Sequence, residues 1–379
     1  MKVVMWCKIP ILMLSVLIVL LPLPTAYSQL SSTSLFPQHD TLNPEMVIYW
    51  RDGSLWELNP ITGQEALYLD YEPPLQWHFR SIIIDYASDV IYVNEAEGSY
   101  ISQLRPQSRK LLQINQDTGE QVVLWEGLEL DFILSPSKTH ALVLTYNSWN
   151  EENSLYNFPD PEKCVLIIAT GECNEIDLNG KFASEFLWLD DDIIIFVDSR
   201  GQYPLTLYDW VNLDEVHIDL TDVIHPLNIR LPQLIPNTSF LLIGNLFQIS
   251  LPDLNAIQLI EPPLYIDYFI ISPDGQKVFF KYRENNVSTH EILDLESGKR
   301  TSIEVNFFTE NVDDFLDVVW LPDSSAVIAI VRGEGLETHN DHIVYIDIST
   351  GQTRSIINHE VTFPERLYLV KQSILLHFR

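Results

Sequence analysis

Basic residues are scarce in this chain. There are 22 Lys and Arg against 53 Asp and Glu, a formal net charge of −31. That balance excludes an ordinary nucleic-acid binder, because a polyanion is repelled and no counterion release rewards the contact. It disfavours an anionic membrane surface for the same reason. Cysteine is nearly absent, at three in 379 residues, so a disulfide-stapled miniature fold is out of reach. Glycine is also thin, at 14, which makes the position of each one informative. Neither a G-x-S-x-G elbow nor an H-E-x-x-H helix occurs, so two readable hydrolase signatures are missing. Beyond residue 28, no apolar run approaches the roughly 20 residues that span a bilayer as a helix. What is present is 46% hydrophobic and 11% aromatic, enough to bury a large core.

The first 28 residues have the three parts of a secretory signal. Lys2 and Lys8 give a basic start, Ile9 to Leu23 are almost purely apolar, and Ala26 and Ser28 follow Pro22 and Pro24. The alternative is an uncleaved N-terminal anchor. Residues 29–44 are polar and Pro-containing and read as an extended or disordered segment, and residues 45–379 read as one domain. The protein is therefore expected outside the cytoplasm, in the periplasm or beyond, as a monomer without a membrane span once the signal is cut. Cleavage removes Cys7 and leaves Cys164 and Cys173 in CVLIIATGEC. Two short strand-like runs meet there, so a disulfide opposite across a hairpin is expected in an oxidising compartment.

The rest is a repeat. Tyr268 to Ile303 reads YFIISPDGQKVFFKYRENNVSTHEILDLESGKRTSI, as strand, turn, strand, loop, strand, turn, strand. Pro273 presets the first turn and Gly275 takes its left-handed position, while Ser297-Gly298 makes the second turn. Val, Ile, Phe and Tyr between them suit strands packed on both faces. A second unit follows, with DVVWLPDSSAVIAIV from Asp317 and IVYIDISTGQTRSI from Ile343. First corners recur at Asp85-Tyr86, Pro136, Asp190-Asp191, Pro236, Pro273, Pro322 and Val370-Lys371. Second corners recur at Gly63, Gly119, Gly171, Asp214, Asn255, Gly298 and Gly351. The unit around residues 227–262 is the least marked. The two series are out of phase at the chain ends, which a ring resolves. Glu365 to Phe378 would supply the inner strands, and Met46 to Leu69 the outer ones, of a single closing unit. Radially repeated four-stranded units form a β-propeller. The expectation is all-β: seven blades closed by N- and C-terminal strands, with six or eight as alternatives.

SPDGQKVFF followed by LDLESGK resembles the repeat of TolB-like, WD-type secreted propellers. It is also similar to the propeller domains of prolyl-oligopeptidase-family peptidases. The likeness covers Ile266 to Val305 and Phe315 to Asn358 well, and Asp131 to Leu178 fairly. It implies a fold and a rigid binding platform, and transfers no catalytic residue. The peptidases carry a separate hydrolase domain, for which this sequence offers no segment, so the expectation is a propeller without it.

Asp131, Glu185, Asp267 and Asp317 each fall five or six residues before a first corner, where an innermost strand begins. Equivalent positions on successive blades would form an acidic collar at the channel mouth, able to hold Ca²⁺ or a cationic partner group. Solvated turn residues are the plainer alternative. Trp149 sits in a polar insert between Tyr146 and Lys163, a candidate partner-contact loop on a rigid ring. Most other Trp residues are expected to fill wedges between blades. His339 and His342 read as part of a His-rich surface loop between middle strands, not as a metal site. The turn from Gln116 to Trp125 resembles that of quinone-cofactor propellers, but in a single copy, and its residues have a structural use. No cofactor and no catalytic residue is assigned. The expected function is a non-catalytic module binding a protein, peptide or envelope component. A carbohydrate-active propeller enzyme, with a carboxylate pair across the ring, is the alternative.

Overall fold

A computed structural model describes residues 46–51, 54–69, 77–85, 88–97, 108–116, 118–146, 162–176, 178, 183–198, 205–218, 232–236, 238–251, 255–260, 264–284, 287–304, 315–332, 338–362, 368–369 and 371–372. Met1–Thr33 and Ser34–Arg379 are separate compact units, and every described residue belongs to the second. Residues 1–28, read above as a signal, and residues 29–44 lie outside the described residues.

Among those residues the chain is strand and turn, without a helix. Blade 1 contains β1 (Val47–Arg51), β2 (Ser54–Leu58) and β3 (Glu65–Leu69). Blade 2 contains β4 (Trp77–Asp85), β5 (Val90–Glu97), β6 (Ser108–Asn115) and the first half of β7 (Gln121–Leu134). The second half of β7 opens blade 3, with β8 (His140–Tyr146), β9 (Glu162–Ile167) and β10 (Glu172–Glu175). Blade 4 is β11 (Ala183–Trp188), β12 (Ile193–Asp198), β13 (Leu205–Asp209) and β14 (Asp214–Ile218). Blade 5 is short, with β15 (Gln233–Leu234), β16 (Phe240–Ile243), β17 (Phe247–Ser250) and β18 (Ala256–Gln258). Blade 6 is β19 (Ile266–Ile271), β20 (Lys277–Glu284), β21 (Val287–Asp294) and β22 (Arg300–Ser302). Blade 7 is β23 (Phe315–Trp320), β24 (Ala326–Arg332), β25 (Thr338–Asp347) and β26 (Thr353–Thr362). Each is an antiparallel meander, and together they are the seven blades of a β-propeller.

The central strands read as unbroken apolar runs because both of their faces are covered. Ala326 to Val331 are all buried, as are Val278, Phe279 and Phe280. Apolar clusters sit between blades rather than within them. Phe132, Ala141 and Val143 of blade 3 meet Val90 and Tyr92 of blade 2. Trp188 and Phe196 of blade 4 meet Leu142 and Val165 of blade 3. The pattern continues between blades 4 and 5, 5 and 6, 6 and 7, and 7 and 1. Trp188 Nε1 donates to Ile133 O across one junction at 2.9 Å, and Trp320 Nε1 donates to Ile270 O across another at 3.2 Å. Those two indoles are wedge residues, as expected.

Blade 1 takes its innermost strand from the far end of the chain. β27 (Tyr368–Leu369) pairs antiparallel with β1, matching Leu369 to Tyr49 and Tyr368 to Trp50. The sequence also suggested a hairpin corner at Val370-Lys371, and there the structure differs. β28 (Lys371–Gln372) runs parallel to β4, placing Lys371 beside Ile83 and Gln372 beside Ile84. The chain end thus latches blade 1 on one side and blade 2 on the other. Blades 2 and 3 are joined in turn by β7, whose first half pairs with β6 and second half with β8.

Five of the second corners share one device. The residue at the end of the third strand, or the one just after it, turns its side chain onto the backbone of the turn. Asn59 Oδ1 accepts the N–H groups of Ile61 and Thr62, and Asn115 Oδ1 that of Thr118. Asp209, Asp294 and Asp347 do the same for Asn212, Ser297 and Thr350. Hydrogen bonds from the side chains of Asn212, Ser297 and Ser349 respectively hold these three carboxyls below the usual carboxylate range. A depressed folded-state pKa adds stability above the unfolded value, which is lost as pH falls below about 4. Replacing all three by Asn keeps the acceptor, as Asn59 and Asn115 show, and removes the titration. The triple variant is expected to lose less Tm than the parent between pH 5 and pH 3. Parallel melting curves in that window would refute this.

Candidate functional site

In every meander the first and third turns lie at one edge of the blade. The second turn and the passage to the next blade lie at the other, where the innermost strands begin. Residues 98–107, 147–161, 199–204, 219–231, 305–314 and 333–337, which join successive strands in sequence, lie outside the described residues. Trp149 is among them.

A repeated irregularity marks the same edge. Pairing between the first and second strands slips by one residue in five blades. The slips fall between Phe79 and Ser81, Leu128 and Asp131, Ala183 and Glu185, Ile266 and Tyr268, and Phe315 and Asp317. These are β-bulges, which bend a strand and re-aim side chains at rims and sites. Asp131, Glu185 and Asp317 each resume the register after the slip and are equivalent. Asp267 is itself the extra residue, one step out of line with them, so the four do not form a regular ring.

The backbones of Asp131 and Glu185 are placed, and their side chains lie outside the described residues. Asp317 Oδ1 accepts the N–H of Val318 at 3.0 Å. Asp267 Oδ2 lies 3.0 Å from Arg283 Nε and 3.7 Å from Lys281 Nζ. Lys281 is 6% exposed, and its ammonium lies 5.9 Å from the Tyr268 ring centre. A buried ammonium needs a counter-charge, so Asp267 has a structural partner already. Among the described residues no group of three His, Cys, Asp or Glu is disposed to hold a metal ion.

Sequence reasoning missed a polar cluster on the face of blade 6. Glu291 accepts from Tyr282 Oη at 3.2 Å and Ser302 Oγ at 3.3 Å, and Arg300 Nε bonds its other oxygen. The guanidinium also lies 5.8 Å from the Phe280 ring centre and 5.7 Å from that of Tyr282. Burial, followed by the Glu291 charge, pushes the Tyr282 phenol up. The one signal for this region was a lysine inside the apolar run KVFFKYRE.

Cys164 and Cys173 form a disulfide, with Cα atoms 5.6 Å apart. They are diagonal neighbours rather than directly opposite, since Cys164 faces Glu175 and Cys173 faces Leu166. The bond ties the outermost strand pair of blade 3. Thr338 to His342, expected as a loop, are part of β25, and His342 Nδ1 lies 3.0 Å from Ser355 Oγ. Extension of β25 along β26 up to the Thr338–Thr362 pair accounts for the difference. The turn at Gln116 to Glu120 is the blade 2 corner, held by Asn115.

No protein-family model matches the sequence, and no curated protein does. Among solved structures, the chain is similar to a prolyl endopeptidase at TM-score 0.57 and 11% identity, over 85% of this chain and 51% of that one. The likeness is one of fold. TolB from Acinetobacter baumannii matches at TM-score 0.44 and 13% identity, over 86% of this chain and 66% of that one. An oligogalacturonate lyase in complex with manganese matches at TM-score 0.39 and 11% identity, over 85% and 74% of the two chains. Scores below 0.5 add nothing to the fold argument. This chain spans about half the length of the prolyl endopeptidase, whose activity is that protein's own. Among the described residues no helix is long and apolar enough to cross a membrane.

Proposed function

We propose that the protein is an exported, non-catalytic propeller that binds a protein, peptide or envelope component at the edge where its innermost strands begin. The recurrence of a bulge at that edge in five blades carries the reading. A scaffold needs no such irregularity for blade packing, and a recognition rim uses it to aim side chains. Export is supported by the signal-like first 28 residues and by the disulfide. A cationic group of the partner suits the carboxylates at Asp131, Glu185 and Asp317 better than Ca²⁺, because Asp267 already faces two cations.

The test compares the parent with an Asp131→Asn, Glu185→Gln, Asp317→Asn variant of equal Tm as bait in native envelope extract and culture fluid. The parent is expected to retain a stoichiometric partner, and the variant to lose about tenfold in retention or more. Equal retention by both sinks the assignment to this edge. Glycan cleavage abolished by a single one of these replacements would replace the binding module with an enzyme. A rise in parent Tm with Ca²⁺, absent in the variant, would restore the metal as occupant.

A further inference from the structure

Five second corners place glycine in the left-handed region, at Gly63, Gly119, Gly171, Gly298 and Gly351. Blade 4 places Leu213 there, at φ 60°, where the sequence pointed to Asp214 as the corner. The left-handed conformation costs a residue with a Cβ about 1–2 kcal/mol. Burial does not offset that cost, because Leu213 is 68% exposed. Val211 and Val216, each 55% exposed, flank it. Three of the ten exposed large hydrophobics in the described structure therefore fall between Val211 and Val216. The turn itself demands the left-handed backbone, as at the five glycines, but gives no reason for an exposed leucine in it. Strained, exposed apolar residues cluster where a surface makes contacts.

The surroundings of this corner say what kind of contact. β14, which follows it, is the outermost strand of its sheet, and no described strand pairs with its outer edge. Its backbone is therefore available to an added strand. The corner is rimmed by acids. Trp210 donates its backbone N–H to Asp192 O at 3.1 Å and its indole N–H to Asp191 O at 2.8 Å. Those bonds hold Asp191 and Asp192 beside Val211 to Asp214; the Asp191 carboxylate also accepts the Ser137 N–H of blade 3 at 3.0 Å. Asp209, held ionised by Asn212, adds another negative charge. β10 reads ECNE and β22 reads RTS, without a large apolar residue. Leu67 of β3 and Val122 and Val123 of β7 are exposed too, but follow corners at Gly63 and Gly119 that carry no side chain. A second copy of this chain would bring its own net charge of −31 to an already acidic rim.

We propose that the outer corner of blade 4 is a docking surface for a strand-forming segment of a partner protein, apolar at alternate positions and rich in Lys and Arg. The segment adds to β14, covers Leu213 and Val216, and sets its cations against the acidic rim. This surface is separate from the innermost-strand edge and stands or falls independently of it.

The probe is a nine-residue peptide alternating Lys with Val and Leu, titrated into the full chain by isothermal calorimetry. A peptide with Glu in place of Lys is the control. The parent is expected to bind the Lys peptide with salt-dependent affinity and to ignore the Glu peptide. Leu213→Gly and Val216→Thr are each expected to weaken binding about tenfold or more. Leu213→Gly should also raise Tm, since glycine relieves the backbone, which separates lost docking from lost folding. Parent and variants binding the Lys peptide alike would overturn the proposal, and so would binding of the Glu peptide. Self-association of the parent that Leu213→Gly abolishes would overturn it too, by making a second copy the occupant.

Discussion

A chain ending at Leu367 will melt without a sharp transition, with Tm lowered by on the order of 10 °C or more. The reason lies in what Tyr368 to Gln372 hold together. β27 completes blade 1 against β1, and β28 fastens the same segment to β4 of blade 2. Each backbone hydrogen bond lost costs about 1 kcal/mol net, but the larger loss is the ring. Without the segment, the inner edge of β1 is unpaired and blade 1 stays attached through blade 7, the connection to blade 2 and the hydrogen bond from Tyr68 Oη to Gln116 Oε1 of blade 2. Packing of Val47, Tyr49 and Leu58 on Leu321, Ile328 and Ile343 remains, so the truncated chain should stay partly folded rather than collapse. A peptide spanning residues 366–379, added in trans, is expected to restore the cooperative transition. Calorimetry of the three samples checks this. Full cooperativity in the truncated chain, or no response to the peptide, would remove the closure role.

Gly351→Ala is expected to cost about 3–4 kcal/mol, at the upper end for a point change. Gly298→Ala, at the same corner one blade earlier, should cost about 1 kcal/mol. Both glycines have left-handed backbones, at φ 73° and 69°, so both variants carry the same conformational strain. They differ in what a methyl group meets. At Gly298 nothing lies within 4 Å, whereas at Gly351 the new Cβ falls 2.0 Å from the Ser302 carbonyl oxygen. That oxygen belongs to the outer strand of blade 6, and backbone cannot swing away as a side-chain tip can. The approach is close because the blades are stitched here. Glu304 N–H donates to Gly351 O at 3.0 Å, and Thr353 Oγ1 donates to Glu304 O at 2.7 Å. Urea denaturation of both variants gives the comparison, and equal losses would show that the contact between blades 6 and 7 yields.

The corners were legible because turn chemistry is local. Pro273, Gly275 and the Gly-containing second corners announce themselves within four residues, and their spacing gave seven blades. Closure by the chain ends was legible as a phase mismatch between two series. The rest depends on pairing between strands, which no local pattern records. Whether β7 breaks between blades 2 and 3 depends on Glu126 to Leu130, where the strand simply continues. The bulges are visible only once Ser81, Asp131, Glu185 and Asp317 are matched to partners, so Asp267 looked equivalent to the others and is not. Leu213 was hidden because a leucine carries no turn signal; its left-handed backbone is imposed by the strands on either side. Of the candidate binding residues, Asp267 and Asp317 have visible side-chain bonds, and Trp149 lies outside the described residues.

The pairing of Tyr49 with Leu369 sets the order in which the molecule can be finished. As the chain emerges from a ribosome or a translocation pore, blade 1 appears first and must wait for nearly all the rest before its fourth strand exists. Blades 2 to 7 can each form from contiguous sequence in the meantime, whereas closure demands a contact of very high sequence separation, which makes folding slow. During that wait β1 offers an open strand edge to any passing chain. A cell making this protein therefore has reason to hold the chain unfolded until Tyr368 to Gln372 are available to close it.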